Sequence, residues 1–501
     1  MSLLPNLGSI GSGVSNFYNG VATQSLRFDD GSSAYLSRTP SSASNRKTWT
    51  FSTWFKIANP ASNHAILSAG TSNTSRAALY LSSGGQFVTD VAGTGDYDRS
   101  VALFRDPSAW YHIVWSFDTT QSTGANRSRI YINGTEITLT KTRTWSLNTD
   151  YRINNTELHT IGALSNGLGF KNNAYYAETN FVDGSQLTPS NFGETKNGVW
   201  IPKAYSGSYG TNGYRLDFAD NAVDAPTSEG TEDTDNIGSD SSGEHNNWTS
   251  SGIVASDCAM PDSPENNFCT LNPNIRPYTV TSAETVSDGN LNAFFNSNQV
   301  SGSYWSTFLL TSGKWYYEVL VSSAGGNADV GISNSPNFAG RGTYVSDARG
   351  KGYFYQKDGQ KGIDNTFSSY GATYTTNDII GCAFDLDNNT ITFYKNNASQ
   401  GQISSVATTE DGFIPAIEGF NGTRLIANFG QDASFAGAIT AGTETDGTGA
   451  VFKYAPPSGF LSLSSKNLPE PTIGANSLTQ ADDHFNTVLY TGDNNARSID
   501  D

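Results

Sequence analysis

The sequence predicts an all-β protein built from two consecutive antiparallel β-sandwiches. The chain has 501 residues, which exceeds the roughly 250 to 300 residues at which a single hydrophobic core stops growing. It contains 51 glycines, 24 tyrosines and 27 phenylalanines but only 2 methionines, a composition typical of short strands joined by tight turns. Apolar residues alternate in many short segments, and no long segment shows the periodicity of an amphipathic helix.

Residues 1–24 are predicted to be a docking arm. Their apolar residues are spaced as on one face of a helix, in steps of four and three: Leu3, Leu7, Ile10, Val14 and Phe17. Pro5 and the nearby glycines oppose a stable helix, because each glycine costs about 1 kcal/mol there. We expect this arm to become ordered on binding another protein, and a merely unordered terminus is the alternative.

Residues 25–219 are predicted to form the first sandwich, since they contain a series of strand-like segments. In WYHIVWSFD, four apolar residues alternate and therefore share one strand face: Tyr111, Ile113, Trp115 and Phe117. In SRIYINGTEIT, Asn133 and Gly134 stand between two strand-like runs, which is the strongest short-range signal for a hairpin.

The order of these segments resembles the laminin-G-like branch of the concanavalin A-like lectin fold. The resemblance covers about residues 25–218 and rests on Trp54 in TWTFSTWFKI, on WYHIVWSFD, on the RIYINGTEI hairpin and on YYAETNFVDGSQLTPSNFGE. It implies a two-sheet jelly roll.

Residues 220–273 are predicted to be an acidic linker rich in serine and glycine, because they hold few large apolar residues. Within it, DTDNIGSD invites comparison with a calcium loop, but Ile237 occupies the fifth position, where a helical calcium loop needs a ligand. An ordinary solvated linker is the favoured interpretation and calcium binding the alternative.

Residues 274–455 are predicted to form the second sandwich. In IIGCAFDL the residues Ile380, Cys382 and Phe384 alternate, so they face one core. The ordered segments WYYEV (315–319), VGI (330–332), DIIG (378–381) and ITFYKN (391–396) resemble the signature of a SPRY domain. Residues 456–501 are predicted to be a linker and a C-terminal tail.

Charge and cysteine content exclude several classes. The formal net charge is −18 at pH 7. Such a charge would repel a phosphate backbone, so we do not expect the protein to bind nucleic acid. The three cysteines, Cys258, Cys269 and Cys382, are too few for a disulfide framework and show no metal-binding spacing, although a bridge between the first two stays open. We expect no membrane insertion and no Sec export, since no apolar run is long enough for a span and no signal-peptide pattern is found.

Catalytic motifs are poorly supported, so a non-enzymatic protein without a cofactor or a metal is predicted. A glycanase needs two facing carboxylates, whereas Glu178 and Asp183 would point to opposite faces of a regular strand. The five histidines are scattered, and His112 alternates with core-like residues, which favours a structural role. The segment from 341 to 371 instead mixes aromatic and charged residues suited to binding a ligand, and its candidate residues are Tyr344, Asp347, Tyr353, Tyr355, Asp358 and Lys361.

The combined layout resembles structural proteins of tailed bacteriophage particles, especially marine ones. This resemblance implies a tail or head fibre in the virion that docks through its N-terminal arm and binds a host glycan or surface protein. A weak single site would need several copies for firm attachment, so a homo-oligomer is expected, with a trimer favoured. The alternatives are a capsid or tail decoration protein without glycan binding and, more remotely, an envelope glycanase.

Overall fold

The computed structural model describes residues 17–469 apart from 73–74, 92–96, 142–144, 166, 276–283, 298–301, 335–351, 365 and 407–411. Within these residues every regular element is a β-strand or a single turn of 3₁₀ helix, and the predicted all-β class is confirmed. The 3₁₀ turns are Gly124–Asn126, Pro189–Asn191, Ala255–Asp257 and Ser465–Asn467.

The first sandwich contains the strands β1 to β17. They are β1 (Leu26–Phe28), β2 (Tyr35–Arg38), β3 (Thr48–Ile57), β4 (His64–Ser72), β5 (Ser75–Leu81), β6 (Phe87–Val91), β7 (Tyr97–Ser100), β8 (Trp110–Asp118), β9 (Ser128–Ile132), β10 (Thr135–Glu136), β11 (Leu139–Lys141), β12 (His159–Ile161), β13 (Ala174–Asp183), β14 (Gly193–Lys196), β15 (Val199–Pro202), β16 (Tyr214–Leu216) and β17 (Thr249–Ser251). One sheet has the order β1-β13-β3-β8-β9-β10, with β16 also paired to β13, and the other has the order β11-β7-β6-β5-β4-β12-β2-β17. The β14–β15 hairpin stands apart from both sheets.

Aromatic side chains fill the space between these two sheets. Trp49 on β3 stacks on Phe117, with ring centroids 4.7 Å apart, and meets the edge of Trp115 at the same distance. Ile113, Trp115 and Phe117 are all fully buried, so the predicted alternation in β8 is confirmed, while Tyr111 only packs against the rim of the core. At the predicted hairpin Asn133 and Gly134 both have positive φ angles, 48° and 82°, as a two-residue type I′ turn requires.

The second sandwich contains the strands β18 to β30. They are β18 (Glu284–Ser287), β19 (Asn292–Phe295), β20 (Gly302–Trp305), β21 (Lys314–Ser323), β22 (Asn327–Asn334), β23 (Gly352–Gln356), β24 (Gln360–Ile363), β25 (Thr366–Ser369), β26 (Ile379–Asp385), β27 (Thr390–Lys395), β28 (Ala398–Ser404), β29 (Phe413–Phe420) and β30 (Thr423–Asn428). The seven-stranded sheet has the order β18-β19-β30-β21-β26-β27-β28, and the six-stranded sheet has the order β20-β29-β22-β23-β24-β25. All strand pairs in both sandwiches are antiparallel.

The core of the second sandwich follows the predicted pattern in β26. Ile380, Cys382 and Phe384 are fully buried, and Cys382 and Phe384 lie opposite Phe393 and Ile391 on β27. Cys382 is therefore a small core residue, and Cys258 and Cys269 are likewise buried thiols without a disulfide.

Most of residues 221–235 are exposed, as in a solvated linker, but much of the remainder of the segment 220–273 is packed, which corrects the prediction for that part. Ile237, Trp248 and Ile253 are buried in the core of the first sandwich, and β17 adds a strand to its eight-stranded sheet by pairing with β2. Gly238 permits this packing, because a Cβ atom there would lie 1.8 Å from the carbonyl oxygen of Trp248. A segment too polar to build its own core can still close the end of a neighbouring one.

The segment that follows β30 is also packed on the second sandwich, where a linker was predicted from residue 456. The backbone N–H groups of Lys453 and Tyr454 donate to the carboxylate of Glu318 on β21, at 2.9 and 2.8 Å. Leu463 is fully buried, and its carbonyl oxygen accepts the N–H of Cys269 at 2.9 Å. Residues 470–501 of the predicted tail lie outside the described residues.

The two sandwiches meet through buried charged groups. The guanidinium of Arg27 on β1 lies 3.0 Å from the carboxylate of Asp257 and 2.9 Å from that of Asp432, which follows β30. Both carboxylates are almost completely buried, and the Arg27 side chain is 0% exposed. Nearby, the hydroxyl of Tyr175 donates to the carbonyl oxygen of Gly289 at 3.0 Å. Paired in this way, the charges join the sandwiches into one packed unit.

Candidate binding surfaces

The structure divides the predicted ligand residues into three groups. Tyr344 and Asp347 lie outside the described residues. Tyr353 and Tyr355 on β23 are 3% and 0% exposed and belong to the core of the second sandwich. This corrects the expectation that they face a ligand, because alternation on β23 turns both rings toward the opposite sheet.

Asp358 and Lys361 do lie at the surface, at the end of the β23–β24 hairpin. The carboxylate of Asp358 accepts the backbone N–H of Gln360 at 3.0 Å and its side-chain amide at 2.8 Å, so Asp358 stabilises the turn. The ammonium of Lys361 lies 5.7 Å from the ring centroid of Tyr370, a distance at which a cation is attracted to an aromatic face.

An aromatic row crosses the outer face of the six-stranded sheet, and sequence reasoning missed it. Strand register places six residues side by side on this face: Trp305, Ala416, Gly331, Phe354, Gly362 and Phe367. Small residues separate the three aromatic side chains of the row, and a Cβ atom at Gly331 would lie 2.7 Å from the Phe354 ring. The row is buried at Trp305 and Phe354 but ends at Phe367 on β25, whose side chain is 45% exposed.

A polar row runs beside the aromatic one. Asp329 on β22 lies directly opposite Glu418 on β29, and both are buried. Burial raises the pKa of Asp329 to about 7, although the side-chain amides of Asn327 and Gln356 donate to the same carboxylate. These strands therefore hold carboxyl groups next to aromatic rings on one face.

Comparison with known proteins assigns both sandwiches. Residues 30–183 match the model of the concanavalin A-like lectin/glucanases superfamily, and residues 314–432 match that of the SPRY domain. The chain carries a concanavalin A-like domain followed by a SPRY domain. Each match agrees with the resemblance found in the sequence.

Individual relatives are distant and cover part of the chain. An ATP-dependent RNA helicase, DDX1 of Xenopus laevis, is 30% identical over 162 residues, which are 32% of this chain and 18% of the helicase. The SPRY domain of human HERC1 is 19% identical with a TM-score of 0.26, covering 32% of this chain and 97% of that domain. The structure of stonustoxin is 18% identical with a TM-score of 0.25, covering 32% of this chain and 27% of that one.

In the concanavalin A-like domain, the outer face of the sheet that contains β3 and β8 is covered by other segments of the same chain. His112 on β8 lies between the rings of Trp54 and Trp200, whose centroids are 4.9 and 5.9 Å away. The indole N–H of Trp200 donates to Nδ1 of His112 at 3.0 Å, so Nε2 carries the hydrogen that is shared with the hydroxyl of Ser52 at 2.9 Å. Burial lowers the pKa of His112 to about 3. The imidazole is thus neutral and structural, as predicted.

The two carboxylates considered for glycan hydrolysis have separate hydrogen-bonding environments. Glu178 forms a bidentate ion pair with Arg215, at 2.8 and 2.9 Å. Asp183 accepts the amide of Asn154 at 2.6 Å and the backbone N–H of Asn212 at 3.1 Å. Each carboxylate accepts hydrogen bonds from donors of the protein, and the two carboxylates share none of these donors.

In the acidic loop compared with a calcium site, backbone and side-chain donors of the chain itself bind the carboxylate of Asp233. Asp233 accepts the N–H of Thr227 at 2.7 Å and the hydroxyl of Ser239 at 3.1 Å. Over the part of the chain that the structure describes, no three histidine, cysteine or acidic side chains are grouped to hold a metal. The same residues include no helix long and apolar enough to cross a membrane.

The predicted docking arm begins outside the described residues, which leaves Leu3, Leu7, Ile10 and Val14 untested. Phe17 is described and only 2% exposed. Its carbonyl oxygen accepts the ammonium of Lys196 at 2.6 Å, and the following N–H groups of Gly20 to Ala22 donate to the carboxylate of Glu265 at 2.7 to 3.1 Å. Phe17 therefore packs on its own chain, which corrects its assignment to partner docking.

Proposed function

We propose that this chain is a non-enzymatic binding protein whose SPRY domain contacts its ligand through the exposed edge formed by β24 and β25. The observation that carries the proposal is the position of Phe367. This residue is 45% exposed at the end of the cross-strand aromatic row. All four residues of β25 are exposed, and β25 is the last strand of its sheet among the described residues.

The chemistry of this edge suits recognition of a surface. An aromatic ring left in water gains free energy when a partner covers it, and aromatic residues dominate the energetics of binding interfaces. Asp358 and Lys361 add one charge of each sign to the β23–β24 hairpin, whose turn is fixed by hydrogen bonds. Register places Lys361 on the opposite sheet face from Phe367. Rigid presentation lowers the entropy lost on binding.

The setting that we propose is a bacteriophage particle, in which the chain is a fibre protein that attaches to a host glycan or surface protein. Support for this setting comes from the domain order and the N-terminal arm. Because single weak sites bind in the millimolar range, several copies would be needed, and we propose a homo-oligomer with three chains.

The binding role is tested with fluorescently labelled full-length protein on a panel of bacterial strains. Phe367→Ala should lower cell binding at least about tenfold, the loss expected when one central anchor is removed. Leu103→Ala is the matched control, since Leu103 is an exposed apolar residue of the other domain. Equal loss in both variants, or binding unaffected by Phe367→Ala, would contradict the proposal.

The setting needs its own measurements. Peptides of the chain should be found by mass spectrometry in purified phage particles, and light scattering should show an oligomer. A decoration protein would also be found in particles, but it would bind no strain with or without residues 1–16. A monomer at micromolar concentration would contradict the avidity argument.

A further inference from the structure

Lys56 on β3 has an unusual position for a lysine. It lies between Tyr175 on β13 and Trp110 on β8, its neighbours across the two strand pairs, and it is only 1% exposed. Lysine is almost never buried so completely unless it is paired. Its ammonium lies 5.7 Å from the centroid of the Tyr175 ring. Aromatic side chains therefore shield this amine from water.

The hydrogen-bond partners of Lys56 come from a segment that follows β17. Its ammonium donates to the carboxylate of Asp262 at 2.8 Å and to the side-chain carbonyl oxygen of Asn267 at 2.7 Å. A third bond of 3.0 Å goes to the backbone carbonyl oxygen of Phe268. Asp262 and Asn267 are 0% and 1% exposed. An amine, a carboxyl group and a carboxamide thus share one buried site.

The carboxamide of Asn267 is oriented for attack by the amine. Its nitrogen donates to the backbone carbonyl oxygen of Ser108 at 2.8 Å, which leaves the carbonyl end toward Lys56. The carbonyl carbon lies within about 4 Å of the amine nitrogen, because it is bonded to the oxygen that accepts the 2.7 Å hydrogen bond. Attack requires a separation of about 3 to 3.5 Å, so a small movement of the lysine side chain is sufficient.

The carboxyl group of Asp262 is oriented for proton transfer. Its Oδ1 accepts the indole N–H of Trp110 at 3.3 Å and the backbone N–H of Phe268 at 3.2 Å. These two donors fix the carboxyl plane. Its other oxygen, Oδ2, is the atom that lies 2.8 Å from the Lys56 nitrogen.

Burial favours the uncharged forms of this acid and this base. Charges lose their hydration when they are removed from water, and this penalises the ionised pair. Burial raises the pKa of Asp262, although the nearby Lys56 ammonium acts in the opposite direction. A proton that moves from the ammonium to Oδ2 leaves a neutral amine, and a neutral lysine in an apolar site is a nucleophile.

We propose that Lys56 and Asn267 join in an intramolecular isopeptide bond, with Asp262 as the proton carrier. In this reaction the Lys56 Nζ bonds to the Asn267 Cγ, and the bond between Cγ and Nδ2 breaks. One proton passes from Nζ through the Asp262 carboxyl group to Nδ2, which leaves as ammonia. The product is a secondary amide, and the exchange needs no oxidant, metal or cofactor.

The bond ties the first domain to the chain that enters the second. Phe268, the residue after Asn267, is buried in one cluster with Tyr316 on β21. Asn267 is 211 positions after Lys56 in the sequence, and covalent closure of a long loop lowers the entropy of the unfolded chain. The crosslink therefore stabilises the joint between the sandwiches. It is independent of the ligand-binding edge on the SPRY domain.

Mass spectrometry of the denatured full-length chain tests the bond. The mass should be about 17 Da below that of the unjoined sequence, because one ammonia is lost. After digestion with trypsin and a glutamate-specific protease, the peptide 48–76 should be joined to the peptide 266–284, without cleavage after Lys56. The mass of the unmodified chain decides the matter even if a variant fails to fold.

Variants assign the roles of the three groups. Lys56→Met and Asn267→Ala should each keep their full mass. Asp262→Asn keeps an oxygen for the Trp110 indole but no acid, so the joined fraction should fall at least about tenfold. Lys171→Met is the matched control, since the Lys171 ammonium donates to the Ser33 hydroxyl at 2.6 Å, and it should retain the crosslink. Thermal unfolding verifies that each variant is folded.

An unmodified chain with its full mass, cleaved normally after Lys56, would overturn the inference and leave an ordinary buried ion pair. A loss of about 18 Da with Lys56 joined to Asp262 would also overturn it, because water would then be the leaving group. Undiminished joining in folded Asp262→Asn would refute the proton transfer that we propose. Cell binding through Phe367 is measured separately, so failure of either proposal leaves the other standing.

Discussion

Replacing Arg27 by methionine should uncouple the two domains. The guanidinium makes hydrogen bonds to Asp257 at 3.0 Å and to Asp432 at 2.9 Å, and its side chain is fully buried. Methionine fills much of the same volume but leaves two buried carboxylates without their cation. Removing one partner from a buried charge pair costs about 3 to 5 kcal/mol, so we expect a loss of this size in the free energy of unfolding.

Urea unfolding at pH 7, followed by tryptophan fluorescence, measures this loss, and calorimetry shows how many transitions occur. The unmodified chain should unfold in one transition, and Arg27→Met should separate it into two. Arg152→Met is the matched control, because the pair of Arg152 with Glu157 is partly exposed and such pairs contribute at most about 1 kcal/mol. A change below about 1 kcal/mol in Arg27→Met, with one transition retained, would refute the reasoning.

Two further predictions concern buried hydrogen bonds. Burial raises the pKa of Glu318 from 4.5 to about 7. The folded chain therefore binds this proton more tightly than the unfolded chain does. As a result, the free energy of unfolding should fall by up to about 3 kcal/mol as pH rises from 4.5 to above 7. Glu318→Gln should remove this part of the pH dependence, as urea unfolding between pH 5 and 8 would show; an unchanged slope contradicts it. Trp200→Phe should lower the free energy of unfolding by about 1 to 3 kcal/mol at pH 7, because Nδ1 of the buried His112 loses its hydrogen-bond donor. A decrease below about 0.5 kcal/mol in the same urea assay would count against that hydrogen bond.

Local pattern was enough to predict the two sandwiches and several of their details. Alternation identified the buried face of β8 and of β26, and Asn133 with Gly134 identified a hairpin, because strand period and turn chemistry depend on neighbouring residues. The mixed aromatic and charged composition of residues 341–371 suggested a ligand-binding connection, and so Tyr353 and Tyr355 were expected to face a ligand although both are buried.

The candidate surfaces depended much more on three-dimensional contacts. Phe367 lies in the short polar strand β25. It is in one row with Phe354 because both residues pair with Gly362 of β24, and no local sequence pattern indicates this pairing. Register between strands distant in sequence decides such neighbours.

The sequence by itself determined that this is an all-β chain, since strands are encoded in short-range alternation, and the resemblance of its ordered motifs to two known families implied a concanavalin A-like domain before a SPRY domain. Only the tertiary structure decided that the later part of the polar segment between them is packed and that Arg27 pairs with Asp432, 405 residues further along. The physical reason is that the pairing of buried charges depends on distance in space, which a linear pattern does not contain.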